Sequence, residues 1–163
     1  MTFSANLLAV LGLSVILTSQ VLAQKDVPFS ASIGTAPHPL DFGVCPDGSF
    51  PCLFLDIQGI GEASHMGLIT ARGPSIVNFS TGTQTGSFLI RAANGDTFSL
   101  VFSGTVVGTG NVGDPASFQG TWEAVEGTGR FDGVSASGTY EGTAEGGVGI
   151  LFLDGRISRV GGS

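Results

Sequence analysis

Residues 86–107 have the sequence GSFLIRAANGDTFSLVFSGTVV, and this stretch decides the fold class. At its centre, Asn94-Gly95 is typical of a hairpin turn, because these residues accept the two positive φ angles of a type I′ turn. After the turn, apolar and polar residues alternate, which predicts a strand with one buried and one hydrated face. The predicted buried face consists of Phe98, Leu100, Phe102, Gly104 and Val106. The stretch therefore predicts an antiparallel hairpin with strands at Gly86–Ala93 and Thr97–Val107.

Short β-favourable segments bounded by turn residues continue on both sides of this hairpin, without helical periodicity. They predict further strands at Cys52–Ile60, Glu62–Ala71, Ile76–Ser80, Ser117–Val125, Val134–Ala144 and Val148–Ser158. Eight strands with no helix between them are typical of an antiparallel barrel or sandwich. The 27 glycines favour the barrel, because glycine inside a strand lets a sheet coil until it closes on itself. We expect an all-β protein with a single antiparallel, eight-stranded closed β-barrel.

The segment before these strands is rich in proline, with Pro28, Pro37, Pro39 and Pro46 in close succession. Proline interrupts the hydrogen-bond ladder of a sheet and is tolerated mainly at edges. The segment therefore predicts an N-terminal extended arm, with no more than an edge strand at Phe29–Ile33. The expected organisation is a signal peptide at 1–23, the arm and a disulfide loop at 24–51, and the barrel at 52–163.

The first 23 residues have the pattern of a cleavable secretory leader. Leu7–Leu17 is apolar apart from Ser14, polar residues follow, and Val21-Leu22-Ala23 matches a small-residue cleavage site. The absence of Lys and Arg before the apolar run is atypical of a leader. The alternative, a membrane anchor, would need about 20 apolar residues, which is more than this run provides. We predict cleavage after Ala23, a secreted or periplasmic location, and no transmembrane helix after cleavage.

The only two cysteines, Cys45 and Cys52, support this location. Disulfides persist in oxidising compartments, and a short Pro/Gly-containing loop brings two sulfurs together. A redox pair is the alternative, but its usual spacing is C-x-x-C. We therefore predict a structural disulfide between these two residues and no metal site.

The charge of the chain disfavours several classes of partner. The formal net charge is −7, and no cluster of basic residues occurs. Such a chain repels phosphate backbones and anionic lipids, so we expect no nucleic-acid partner. No nucleophile elbow, phosphate loop, zinc motif or dinucleotide fingerprint is present. We therefore predict no cofactor, while enzymatic activity without one stays open.

The predicted interior face holds the candidate ligand-binding residues Phe102, Trp122 and Tyr140. Trp122 and Tyr140 have glycine and alanine as neighbours on that face. The space beside these small residues is either filled by bulky side chains from adjacent strands or left free for a ligand. His65 is the fourth candidate ligand-binding residue and the best candidate for proton transfer, because imidazole titrates near neutral pH. A histidine bonded to nearby backbone or water is the more common case. The carboxylates Glu123, Glu126, Glu141 and Glu145 are predicted to face solvent.

The last predicted strand is apolar on both faces, with Ile150 and Phe152 on one side and Leu151 and Leu153 on the other. We expect it to be covered on both sides, either by the N-terminal arm or by a partner subunit. The second case would make the protein a homo-oligomer.

Three motifs together resemble a known group of proteins. They are GEASHMG at 61–67, AANGDT at 92–97, and GTGRFDG at 127–133, the last followed by Gly138-Thr139. They are similar to turns of the allene oxide cyclase and dirigent-like small β-barrels, which include uncharacterised bacterial exported proteins. The resemblance implies an eight-stranded antiparallel barrel with a cavity open at one end. Some members of this group steer or cyclise small apolar molecules without a cofactor, but the fold alone does not assign that activity to this chain.

Three hypotheses for the function follow. The first is non-enzymatic binding of a small apolar ligand or a protein partner. The second is a cofactor-independent cyclase or dirigent-like enzyme that acts in the barrel interior, with His65, Tyr140 and Trp122 as its residues. The third is a structural envelope or oligomer-forming protein that assembles through the last strand.

Overall fold

The computed structural model describes residues 26–109, 111 and 113–158. They form a closed barrel in which each strand pairs antiparallel with the next along the chain, and β8 pairs with β1. The strands are β1 (Val27–Gly43), β2 (Cys52–Ala63), β3 (Gly67–Asn78), β4 (Thr83–Ala92), β5 (Thr97–Gly108), β6 (Ala116–Gly127), β7 (Ala136–Glu145) and β8 (Val148–Ile157). The prediction of an all-β, eight-stranded antiparallel barrel is confirmed.

The predicted signal peptide lies outside the described residues. Among the residues that are described, no helix is both long enough and apolar enough to cross a bilayer. The one helical element in the described ranges is a single 3₁₀ turn at Gly129–Phe131, between β6 and β7.

The proline-rich segment is not an arm outside the barrel, which corrects the expectation from the sequence. Residues 27–43 form β1, which pairs with β8 from Val27 to Thr35 and with β2 from Ala31 to Gly43. The barrel therefore begins near residue 27 and not at residue 52. Inward side chains such as Phe29 and Ile33 are almost fully buried, so this strand is part of the core.

The position of the prolines explains how β1 tolerates them. Beyond Thr35 the strand has only one neighbour, β2, and Pro37 and Pro39 lie in that part. An edge strand needs no donor on its free side, so the missing N–H groups break no pairing there. A register shift between Pro39 and Asp41 places the extra residue Leu40 in solvent.

The boundaries of β2 and β3 also differ from the prediction. The turn between them is at Ser64–Met66 and not at Gly61, and His65 takes a positive φ of 66° in it. The two strands predicted at Glu62–Ala71 and Ile76–Ser80 are one strand, β3, which continues through Gly73-Pro74. At Gly73 the backbone of Ser87 on β4 is so close that no side chain would fit. Because glycine has none, β3 can continue through this point.

The predicted alternation of faces holds in the structure. Phe98, Leu100 and Phe102 of β5 are buried, as are Trp122 of β6 and Tyr140 of β7. β5 pairs with β6 with one register shift between Ser99 and Leu100, β6 pairs with β7 without one, and the inward residues form one continuous core. The hydrophobic interior that the sequence predicted therefore exists.

Glycines on this inner face give room to aromatic rings of neighbouring strands. The ring of Tyr140 lies over its partner Gly120, where an added Cβ would be 2.7 Å from the ring carbon Cε1. Phe102 lies in the same way over Gly86. Rings from the adjacent strand thus fill the space beside these glycines. The sequence had left open whether this space is filled or available to a ligand, and here it is filled.

The predicted disulfide between Cys45 and Cys52 is present, with the two Cα atoms 5.1 Å apart. Both residues are buried. The enclosed loop is further held by Asp47, which accepts hydrogen bonds from Ser49, and by Asn78 of β3. The nitrogen of the Asn78 amide is engaged in these bonds, although Asn78-Phe79-Ser80 has the pattern of a glycosylation sequon.

Replacing both cysteines with alanine is expected to lower the free energy of unfolding by about 2 kcal/mol, because the unfolded chain regains the entropy of the open loop. Urea unfolding of the two proteins measures the difference, and reductant added to the wild type should produce a similar loss. The double variant should not respond to reductant. Equal midpoints for wild type and variant would show that the disulfide does not stabilise the barrel.

Candidate functional site

The two ends of the barrel are built differently. One end carries the β2–β3 and β4–β5 turns and the β6–β7 connection, and its interior is filled by the aromatic residues Phe29, Phe98, Trp122 and Phe131. Neighbouring rings in this group are 5.4 to 6.3 Å apart between centroids, in tilted or edge-to-face arrangements. Such geometry is favourable for aromatic packing. We call this the closed end.

The three motifs that carry the family resemblance all lie at the closed end. Thr128 donates from its backbone N–H to the carbonyl of Thr97, and the Nε of Arg130 pairs with Asp96 at 2.9 Å. The hydrogen bond from Arg130 is the main reason why the pKa of Asp96 is lowered. Phe131, between these contacts, is 2% exposed and seals the barrel. The motifs at 92–97 and 127–133 therefore close this end and form no part of the cavity described below.

A cavity of about 180 Å³ lies toward the other end, which we call the open end. Its wall is mainly apolar and includes residues from all eight strands. The inward residues that form most of this wall are Pro37, Pro39, Leu53, Leu55, Ile57, Val77, Phe88, Leu100, Phe102, Val106, Phe118, Tyr140, Leu151 and Leu153. An apolar, concave site inside a barrel is a common form of small-molecule site.

The two sides of the cavity mouth differ: a strand extends farther on one side, and polar residues line the other. The higher side is the part of β1 beyond Thr35, which extends past the beginning of β8 and pairs only with β2. The polar side includes Thr109, Asn111 and Asp114 of the β5–β6 loop. Gly146 of the β7–β8 turn donates its N–H to Gly113, which ties two of the mouth loops together.

The structure places two of the four candidate ligand-binding residues at this cavity. Phe102 and Tyr140 line it, with ring centroids 5.4 Å apart. Trp122 belongs to the closed end, where its indole nitrogen donates to the backbone carbonyls of Thr139 and Asp154. His65 is exposed in the β2–β3 turn, at the closed end, and lies within hydrogen-bond distance of the Pro28 carbonyl at 2.9 Å.

The set His65, Tyr140 and Trp122 that the cyclase hypothesis requires is therefore not assembled around the cavity. The backbone contact of His65 is the alternative that the sequence favoured for this residue. Glu62, its neighbour in sequence, is exposed on β2 and no hydrogen bond joins it to His65 in the described chain.

Sequence reasoning missed one polar group of the cavity wall. Gln84 of β4 lines the cavity and is 6% exposed, and its amide nitrogen donates to the hydroxyl of Ser75 at 2.9 Å. Burial also raises the pKa of the Tyr140 phenol to about 12, so the phenol is neutral at neutral pH. The period-2 pattern Gln84, Gly86, Phe88, Ile90 would have revealed the inward position of Gln84, had the predicted strand begun before Gly86.

The carboxylates predicted to face solvent do so. Glu123, Glu126, Glu141 and Glu145 are all exposed, so the structure contains no buried pair among them. Within the described ranges there is also no group of three or more His, Cys, Asp or Glu side chains placed to hold a metal ion.

The last strand, β8, has one buried and one exposed apolar face. Leu151 and Leu153 are buried in the barrel, while Ile150 and Phe152 are 40% and 43% exposed. Residues 27–35 pair with the edge of β8 and do not cover its outer face, which differs from one of the two arrangements expected. A homo-oligomer through the outer face of β8 stays a prediction.

No protein-family model, curated protein or solved structure matches the chain. The resemblance to the allene oxide cyclase and dirigent-like barrels therefore stays a prediction. The function is argued below from the geometry of the cavity.

Proposed function

We propose that this protein binds a small apolar molecule in the cavity at the open end of its barrel. The observation that carries the proposal is the contrast between the two ends. Aromatic side chains fill the closed end, whereas the open end leaves about 180 Å³ surrounded by apolar side chains. Removing apolar surface of a ligand from water in such a site is favourable.

The size of the cavity limits the ligand. A dry cavity of about 150 Å³ lined by aliphatic and aromatic side chains is enough for benzene, and drug-sized ligands occupy about 300 to 1,000 Å³. The value of about 180 Å³ lies near the lower end of this scale. We therefore propose a compact ligand of one or two rings, or an aliphatic molecule of similar volume.

The chemistry of the wall supports binding more than catalysis. Tyr140 lies in the inner part of the cavity, and its raised pKa keeps the phenol protonated near neutral pH, so almost no phenolate is present to act as a base. Two carboxylates lie at the mouth: Glu145 is exposed, and hydrogen bonds from Thr109 and Asn111 lower the pKa of Asp114. A carboxylate with a lowered pKa is a poor general acid at neutral pH.

We further propose that the protein acts outside the cytosol. The buried disulfide between Cys45 and Cys52 would be kept reduced in most cytosolic environments. The predicted leader at 1–23 supplies a route of export. A secreted or periplasmic binding protein is consistent with both features.

Filling the mouth of the cavity tests the binding proposal. Ala144 of β7 lines the cavity at the mouth, and Thr143 beside it faces solvent. We expect Ala144→Phe to weaken the binding of 1-methylnaphthalene at least tenfold, because the new ring occupies part of the volume that the ligand needs. Titration calorimetry or the fluorescence of the ligand measures the affinity.

Thr143→Phe is the matched control, because it adds the same ring one residue away on the outer face of the same strand. It should bind 1-methylnaphthalene as the wild type does. Thermal unfolding establishes that both variants are folded. The proposal fails if the wild type binds neither 1-methylnaphthalene nor smaller aromatics, or if both variants lose affinity to the same extent.

A further inference from the structure

We propose that the ligand carries a hydroxyl group, which exchanges hydrogen bonds with Tyr140 and Gln84 in the wall of the cavity. This inference rests on the proposed function, because it names the chemistry of the molecule that the cavity holds. It goes beyond apolar binding, since it predicts which part of the ligand is polar and where that part lies.

Two buried polar atoms carry the inference. The phenol oxygen of Tyr140 and the amide oxygen Oε1 of Gln84 have no hydrogen-bond partner in the described part of the chain. Tyr140 is 4% exposed and Gln84 is 6% exposed, and both line the cavity. A buried polar atom without a partner is destabilising, so natural proteins rarely retain two in one site without a role.

The pairing of the strands places these two residues in one row of paired positions across four neighbouring strands. Gln84 of β4 pairs with Gly104 of β5, Gly104 pairs with Gly120 of β6, and Gly120 pairs with Tyr140 of β7. The two positions between Gln84 and Tyr140 in this row therefore carry no side chain. The Tyr140 ring already extends over Gly120, on the side of the row that faces Gln84.

Ser75 fixes the orientation of the Gln84 amide. The Gln84 nitrogen donates to the Ser75 hydroxyl, which is 1% exposed, and this bond leaves the amide oxygen unpaired. Exchanging the amide oxygen and nitrogen would leave the nitrogen unpaired in its place. Either orientation leaves one hydrogen-bonding atom of Gln84 without a partner in the described part of the chain.

A hydroxyl group matches this pair better than other polar groups do. An alcohol or phenol both donates and accepts, so it pairs with the amide oxygen and with the Tyr140 hydroxyl. A carbonyl or ether oxygen only accepts, and it would leave Oε1 without a donor. A charged group would lose its hydration in an apolar cavity that no cationic side chain of the described residues lines.

Two ligands of the same shape test the inference: 1-naphthol, and 1-methylnaphthalene, which has a methyl group in place of the hydroxyl. The quantity to measure is the ratio of their association constants, determined for the wild type and for Tyr140→Phe. Comparing the same ratio in both proteins removes the difference in hydration between the ligands. We expect the ratio to fall about tenfold in Tyr140→Phe, because the variant lacks the hydrogen bond to the naphthol oxygen.

1-Methylnaphthalene makes no hydrogen bond to the phenol, so its affinity for Tyr140→Phe reports any change in the apolar contacts of the cavity, and the ratio removes that change. The isolated variant should be as stable as the wild type, because it loses an unpaired hydroxyl. Gln84→Met provides a second variant and should lower the same ratio. If both ligands bind but the ratio is unchanged in both variants, the hydroxyl inference fails and the proposed function stands. If neither these two ligands nor smaller aromatics bind to the wild type, the proposed function itself fails.

Discussion

Replacing Gly138 with alanine is expected to lower the free energy of unfolding by more than about 4 kcal/mol, a loss that few single substitutions reach. Gly138 of β7 pairs with Gly155 of β8, and the two strands approach closely at this point. A methyl group on Gly138 would overlap the carbonyl oxygen of Asp154 and lie 2.6 Å from the Cα of Gly155. Both atoms belong to the backbone, so no rotation of a side chain relieves the overlap. The two strands must separate, which breaks the pairing that closes the barrel.

Gly34→Ala is the matched control, because Gly34 also lies inside a strand of the barrel. A Cβ at Gly34 would meet no heavy atom closer than the carbonyl oxygen of Ile60, at 3.7 Å. The variant should be as stable as the wild type to within about 1 kcal/mol, and slightly stabilised because alanine restricts the unfolded chain. Urea unfolding followed by far-UV circular dichroism measures both variants. Equal losses in the two would show that close approach of strands is not the reason for the glycines.

The glycines also show why the sequence predicted this fold. Alternation on β5, β6 and β7 indicated which face of each strand is inside, and glycine on that face indicated a strongly coiled sheet. Both patterns follow from contacts between neighbouring strands, and they are therefore visible in the local sequence.

The position of β1 could not be predicted in this way. Its prolines suggested an arm, because proline is rare inside a sheet. The strand tolerates Pro37 and Pro39 because β8 does not extend beside them. No local sequence pattern reveals where β8 begins relative to β1.

The candidate site was predicted in part for the same reason. Phe102 and Tyr140 line the cavity because inward positions follow from alternation. Which inward residues meet a cavity, and which are packed, depends on how far each strand extends and on the loops at its ends. Trp122 shares an inward face with Phe118 on β6, yet Trp122 is in the closed end and Phe118 lines the cavity. Gln84 was missed because the predicted strand began two residues after it.

The two ends therefore have separate roles under the proposed function. The closed end holds the aromatic cluster and the Asp96–Arg130 pair, and these contacts stabilise the barrel. The open end keeps unfilled volume and two unpaired polar atoms, both of which reduce stability in the absence of a ligand. Substitutions at the closed end should change stability most, whereas substitutions at the cavity wall should change affinity most.

Trp122→Ala is expected to show this separation most clearly, with a loss of about 3 to 5 kcal/mol in the free energy of unfolding. Trp122 is 2% exposed and packs against Phe29 and Phe98, with ring centroids 5.4 and 6.1 Å away. Its indole crosses its partner Gly138 and comes so close to Gly155 that a Cβ there would be 2.9 Å from the indole carbon Cζ2. Alanine would leave a large void over these glycines, which have no side chains to fill it.

Phe152→Ala removes an aromatic side chain of β8 that faces solvent, and it should cost less than about 1 kcal/mol, because substitutions at exposed positions have small effects. Urea unfolding followed by far-UV circular dichroism suits both variants, since Trp122 is the only tryptophan and its emission is lost with it. A Trp122→Ala protein that is as stable as Phe152→Ala would contradict the role given to the closed end. If Trp122→Ala is destabilised but still folded, it should bind 1-methylnaphthalene nearly as the wild type does, because Trp122 does not line the cavity.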